Sequence, residues 1–225
     1  MKHGQAAILH PEQEAYLDRL LPPRDPLLRE MEEQAARESI PISDPEVGRL
    51  LGILARSVGG RRMLEIGTAI GYGALCMARG APDGRVVTID KDPERLATAR
   101  RYLERGGVAD RVELIEGAAL DVLHRLEGPF DLVYVDAVKT EYRRYLDQVL
   151  PRLRVGGLVV CDNLLWGGEV AAPTGEADRD ADALRAFNGY LMMHPQLQSV
   201  VLPLGDGVGL ATKTKPTIME MGGPF

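Results

Sequence analysis

Cysteine is scarce: the 225 residues hold only Cys76 and Cys161. Two thiols cannot build a disulfide framework, so both are expected buried and reduced. The four histidines (His3, His10, His124 and His194) are scattered, which argues against a zinc site. No apolar run approaches the ~18–20 residues of a membrane span, so no bilayer-crossing helix is expected. The first twelve residues lack the apolar core of a secretory signal. Glycine and proline, 25 and 15 residues, stay below the share that marks disordered or collagen-like chains. No repeat period and no low-complexity segment is visible. Positive charge is not in surplus either; a net charge of −6 disfavours unspecific nucleic-acid binding. These absences leave a cytoplasmic α/β enzyme as the expectation.

The chain itself falls into two patterns. From Glu12 to Ser39 it is charged with spaced Leu, Met and Ala, and is broken at Pro22-Pro23 and Pro26. This spacing predicts two amphipathic helices with a proline hinge. Ser43-Asp44-Pro45-Glu46 predicts a further helix start, with a polar cap, a proline in the first turn and an early carboxylate. That helix should end near Gly59-Gly60. Beyond it, short continuous apolar runs recur at Arg62–Ile66, Arg85–Ile89, Val112–Ile115, Asp131–Val135 and Gly157–Cys161. Such runs suit strands buried on both faces of a parallel sheet. Helical spacing lies between them, from Pro93 to Gly106 and from Glu141 to Leu153. The alternation predicts a doubly wound sheet. Leu197–Leu204, Gly205-Asp206-Gly207 and Val208–Lys213 read as an antiparallel hairpin that completes seven strands.

Three stretches carry chemistry. Leu64-Glu65-Ile66-Gly67-Thr68-Ala69-Ile70-Gly71-Tyr72-Gly73 follows a strand and opens a helix, where small residues let a ligand approach the backbone. Its spacing is not G-x-G-x-x-G, because Ala69 stands at the second glycine. A mere chain turn is the bland alternative. Asp90, at the tip of the next strand, is placed to accept hydrogen bonds from both hydroxyls of a nucleotide ribose, while Asp92 before Pro93 is expected to cap the following helix. Asp136 and the pair Asp162-Asn163 end two further strands at the same sheet edge. Two carboxylates and an amide oxygen are hard ligands suited to Mg²⁺ or a similar cation. Lys139 should overhang that edge, where a nearby cation and partial burial can lower a lysine's pKa enough for it to act as a base. A solvated loop lysine is the alternative.

At these residues the chain resembles the cation-dependent O-methyltransferases, the group of catechol and caffeoyl-CoA O-methyltransferases. The likeness runs from about Pro41 to Lys213. It is carried by Leu64 to Tyr72, Val135-Asp-Ala-Val-Lys139, Asp162-Asn-Leu-Leu-Trp166 and Gly205-Asp-Gly-Val-Gly-Leu210. The resemblance implies a Rossmann-like seven-stranded methyltransferase sheet, mostly parallel with an antiparallel C-terminal strand and helices on both faces. It implies one domain over 1–225, with an N-terminal helical cap (1–40), a catalytic core (41–215) and a tail (216–225). Methyl transfer from S-adenosylmethionine to one hydroxyl of a Mg²⁺-held vicinal diol is the implied reaction. By position, Glu65, Gly67, Thr68 and Gly73 would line the methionine part of the cofactor, Asp90 the ribose, and Ala119 the adenine. Ser43, or its neighbour Ile42, would stand at the cofactor entrance. Asp136, Asp162 and Asn163 match the metal ligands, with Asp136 also at the cofactor, and Lys139 matches the catalytic base.

The sequence also departs from the family pattern. Gly73 replaces a serine, which removes one cofactor hydrogen bond. Ala118 stands where many methyltransferases have an acid, Val138 stands at an acid or aromatic position, and Gly167 replaces an asparagine. The metal centre is therefore expected intact and the acceptor pocket altered. Trp166 is a candidate pocket wall or core residue, and Ala171 to Asp182 a candidate lid. A catechol-like or CoA-linked phenol is the expected substrate, and a homodimer is implied. The alternatives are tRNA methylation at a hydroxylated uridine, gripped through Arg143, Arg144, Arg152 and Arg154, and nicotinamide-dependent oxidoreduction, which the absent second glycine opposes.

Overall fold

A computed structural model describes residues 10–20, 22–23, 25–172 and 178–214. The tail from 216 lies outside the described residues, as do residues 173–177 of the candidate lid. The N-terminal stretch forms α1 (Pro11–Leu20) and α2 (Pro26–Glu38), separated at the prolines as expected. Helix α2 starts at Asp25, whose side chain accepts from the Leu28 amide. Helix α3 (Pro45–Ser57) begins at Asp44 with proline in its first turn. Asp44 makes no side-chain cap hydrogen bond there, so proline and the helix dipole mark that start.

The remaining elements are β1 (Arg62–Ile66), α4 (Tyr72–Gly80), β2 (Arg85–Asp90), α5 (Pro93–Arg105), β3 (Val112–Glu116), α6 (Ala119–Leu123) and β4 (Phe130–Val135). After them come α7 (Tyr142–Val149), β5 (Leu153–Cys161), α8 (Arg179–Met193), β6 (Leu197–Leu202) and β7 (Val208–Lys213). Helix α7 is shorter than its apolar spacing predicts. Pro151 interrupts it, a 3₁₀ turn follows at Leu150–Arg152, and Leu153 already belongs to β5. The strand order is β3-β2-β1-β4-β5-β7-β6, with β7 antiparallel to both neighbours.

Alternate residues of each central strand feed opposite cores. Leu64, Ile66, Val133, Val135, Val159 and Cys161 pack under α6, α7 and α8. Met63, Leu132, Tyr134 and Val160 face α2, α3, α4 and α5. Both cysteines are buried and unpaired, as expected. Burial raises their thiols' pKa, that of Cys76 to about 12, so both are inert hydrophobes at neutral pH.

Parallel pairing is in register across β2, β1 and β4: Thr88 opposite Glu65, and Glu65 opposite Tyr134. One row of the sheet on the α3–α4 side is therefore polar, and it lies one or two residues below the strand tips. No described helix is long and apolar enough to cross a membrane.

Candidate active site

The carboxyl ends of β1, β2, β4 and β5 meet because the strand ladder continues into the loops. The Gly67 amide donates to Ile89 O, the Asp136 amide to Ile66 O and the Asp162 amide to Val135 O, at 2.9–3.0 Å. This seats the three acidic loops side by side at the usual ligand edge of an open α/β sheet. Gly67 has φ +103°, and a Cβ there would collide with the Asp136 carbonyl, so glycine is required where β1 and β4 converge. Asn163 takes the left-handed conformation at φ 60°, a cost that asparagine tolerates better than most residues.

A cavity of about 660 Å³ opens at this edge. Its lining includes Ile42, Ser43, Glu65, Gly67, Thr68, Gly73, Asp90, Ala119, Asp136, Lys139 and Asn163. The fold thus brings together every site residue expected from the sequence except Asp162, which is buried directly behind Asn163. Val138 and Trp166 also line the cavity, and the Trp166 indole donates to Asp178. The arginines considered as a phosphate grip are used elsewhere in part. Arg152 donates to the carbonyls of Leu126, Gln148 and His124, and Arg154 is bonded to Asp131. A second cavity of about 440 Å³, between Pro22-Pro23 and the α3–α4 pair, contains none of the predicted residues.

Asp90 is held in place by two amides: Ala69 N–H donates to Oδ2 at 2.9 Å and Asp92 N–H to Oδ1 at 3.1 Å. Asp92 caps α5, accepting from the amides of Glu94 and Arg95, as the sequence suggests. Glu65 is 1% exposed and accepts from Thr88 Oγ1 at 2.5 Å; Thr88 in turn bonds Thr68. Desolvation, the leading cause, raises the Glu65 carboxyl pKa to about 8, so it is largely protonated at neutral pH.

Around Lys139 the charges converge. Its Nζ donates to Asp136 Oδ1 (2.7 Å), Asn163 Oδ1 (2.6 Å) and the Tyr142 hydroxyl (2.9 Å). Three donors meet three oxygens, so Lys139 is no solvated loop residue. Behind them, Asp162 accepts from the Asn163 amide at Oδ1 and from the Tyr134 hydroxyl at Oδ2, both at 2.7 Å. Burial, and then the negative charge of Asp136, pushes the Asp162 carboxyl upward. The Asp136 carboxylate and the Asn163 amide oxygen meet at one ammonium with the Asp162 carboxylate behind them, and such hard oxygens are chemically suited to a divalent cation. No group of three or more His, Cys, Asp or Glu side chains suited to a metal occurs among the described residues, and the set expected from the sequence adds the Asn163 amide oxygen to two carboxylates.

Sequence reasoning missed Tyr134, Tyr142 and Thr88. The first two looked like ordinary apolar strand and helix positions. A phenol in a run such as Leu-Val-Tyr-Val nevertheless needs a hydrogen-bond partner once buried, and that was the available signal.

A sheet of this order with a ligand-sized cavity at its carboxyl edge defines a Rossmann-like methyltransferase fold. The chain belongs to the O-methyltransferase family, whose model matches residues 22–214. It is 40% identical over 198 residues to a catechol O-methyltransferase of Mycobacterium tuberculosis, covering 85% of this chain and 88% of that one. It is 31% identical to the caffeoyl-CoA O-methyltransferase of Eucalyptus gunnii over 87% of this chain and 84% of that protein. Among solved structures, the O-methyltransferase from Bacillus cereus in complex with SAH superposes with a TM-score of 0.80 at 32% identity, covering 90% of this chain and 97% of that one. The protein is accordingly an S-adenosylmethionine-dependent O-methyltransferase.

Proposed function

We propose that this enzyme methylates one hydroxyl of a catechol-like or CoA-linked phenolic small molecule, with a divalent cation, Mg²⁺ or a relative, at Asp136, Asp162 and Asn163. The observation that carries the proposal is the convergence of Asp136 Oδ1 and Asn163 Oδ1 on one point beside Asp162, at the wall of the cavity. In the same reading S-adenosylmethionine lies against Glu65, Gly67, Thr68, Gly73 and Asp136, with Asp90 at its ribose, Ala119 at its adenine and Ser43 at the entrance.

A free phenol titrates near ~10, so little of it is anionic at neutral pH. The cation, when bound, would supply Lewis-acid stabilisation of the phenolate. Lys139 Nζ is the proton acceptor. In the structure its Nζ is held by Asp136 and Asn163, the residues proposed for the cation. Val138, Trp166 and Tyr145 supply apolar and aromatic cavity walls for an aryl ring. Positioning of the hydroxyl against the sulfonium methyl is expected to account for much of the rate. The family resemblance adds a homodimer to the proposal.

Calorimetry tests the reading. S-adenosylmethionine should bind first, and caffeic acid should then bind only when Mg²⁺ is present. Cofactor binding with no catechol binding at any Mg²⁺ concentration would remove the small-phenol substrate and direct the search to tRNA.

A further inference from the structure

Tyr134 has no part in the chemistry described so far, yet it is one of the largest fully buried side chains and carries a polar atom. Its hydroxyl bridges Asp162 and Ser43: it donates to Asp162 Oδ2 at 2.7 Å and sits 2.7 Å from Ser43 Oγ. With Tyr134 donating to the carboxylate, Ser43 must be the donor to the phenol oxygen, giving a chain with one direction, Ser43 to Tyr134 to Asp162. The Asn163 amide holds the other carboxylate oxygen. Asp162 is thus held at both oxygens by neutral donors, which fix the orientation of the group.

Two further observations show that the fold accommodates this phenol. Tyr134 stands in the polar row beside Glu65, and a Cβ at position 73 would lie 3.2 Å from Tyr134 Cε1 while colliding with the Glu65 carboxyl. The bare backbone of Gly73 leaves space for both. At the other end, Ser43 belongs to the segment Pro41-Ile42-Ser43, which lines the cavity on the proposed cofactor side. The segment reaches the Asp162 carboxylate through the Tyr134 hydroxyl.

We infer that Tyr134 is a positioning residue, which holds Asp162 in its ligating pose and ties that pose through Ser43 to the seating of residues 41–43 on the cofactor. The inference rests on the proposed cation site. Outer hydrogen-bond partners of metal ligands typically change metal affinity by about 10–100-fold when removed.

The test uses Mn²⁺ as an electron-paramagnetic probe and S-adenosylhomocysteine as an unreactive cofactor. In the wild-type protein, Mn²⁺ binds and S-adenosylhomocysteine tightens it. Tyr134→Phe keeps the ring, weakens Mn²⁺ by about tenfold and loses the tightening. Ser43→Ala keeps the Tyr134–Asp162 bond, so it weakens Mn²⁺ alone by less than about threefold but also loses the tightening. Cofactor affinity measured without metal in Tyr134→Phe stays within about twofold of wild type, which a general loss of fold would not allow. Wild-type protein that binds no Mn²⁺ would overturn the cation reading and the inference with it. Wild-type binding with an unchanged affinity in Tyr134→Phe would overturn the inference alone, and tightening that survives in Ser43→Ala would overturn the link to the cofactor loop.

Discussion

Strand β4 carries one aspartate near its amino end and is followed by another at its carboxyl end, and their surroundings differ in kind. At its amino end, Asp131 accepts from the amides of Arg61 and Arg62 at 2.7 and 2.8 Å and from Arg154 Nε at 2.6 Å. Every donor it meets belongs to the neighbouring chain segments, and together those donors hold its carboxyl below the usual range despite partial burial. At the carboxyl end, Asp136 faces a cavity, another carboxylate and a single lysine. Asp131 is a staple that fastens β1, β4 and β5 together. Asp136 is an acid at the cavity wall, held there by Lys139, where the cation is proposed to bind. A carboxylate's role is therefore set by how fully its own chain satisfies it, not by its place in the strand.

The comparison breaks most sharply if the two aspartates respond alike to mutation. Asp136→Ala should lower methyl transfer by about 10³-fold, because Lewis-acid stabilisation is worth several kcal/mol, while its melting temperature stays within a few degrees of wild type. Equal activity in that variant would remove Asp136 from the site. Lys139→Met should follow, with kcat reduced about 10²-fold, the lower range for loss of a general base, and cofactor affinity retained in calorimetry.

Asp131→Ala should do the reverse. It strands two amides and a guanidinium, a loss of about 2–3 kcal/mol, or roughly 5–10 °C in thermal melting for a chain of this size. The activity per folded molecule should persist. Because the folded pKa of Asp131 is lowered, its contribution is present above the unfolded value and disappears as pH falls through the folded one. The difference between wild type and Asp131→Ala should therefore shrink in acid.

A last contrast concerns Glu65. Its folded pKa, raised to about 8, makes its protonated form a feature of the folded state. Stability should therefore decline as pH rises from the unfolded value near 4.5 through about 8, and Glu65→Gln should flatten that part of the melting profile. If the cofactor's ammonium lies beside Glu65, binding at pH 7 should release a fraction of a proton, readable as a buffer-dependent calorimetric heat. No release would place that ammonium elsewhere.

Much of this was legible in the chain itself. Continuous apolar runs such as Leu158–Cys161 suit burial on both faces, and Asp92 before Pro93 caps a helix by local chemistry alone. Gly67 and Asp90 could be placed because a strand, a tight turn and a helix fix their positions over few residues. The end of α7 before Pro151 was less legible, because a 3₁₀ turn and a helical turn share the same apolar spacing.

What the sequence by itself determined is the set of local commitments: which runs become strands, where helices begin, and which acids stand at strand tips. Tertiary structure alone decided what each acid meets there. Registration of β2, β1 and β4 created the row Thr88–Glu65–Tyr134. The approach of residues 41–43 to the sheet gave Tyr134 its second partner. Ser43 and Tyr134 are 91 positions apart, and Tyr134 and Asp162 are 28. Hydrogen bonding acts over about 3 Å in space and is indifferent to separation along the chain, so only the packed fold selects such partners.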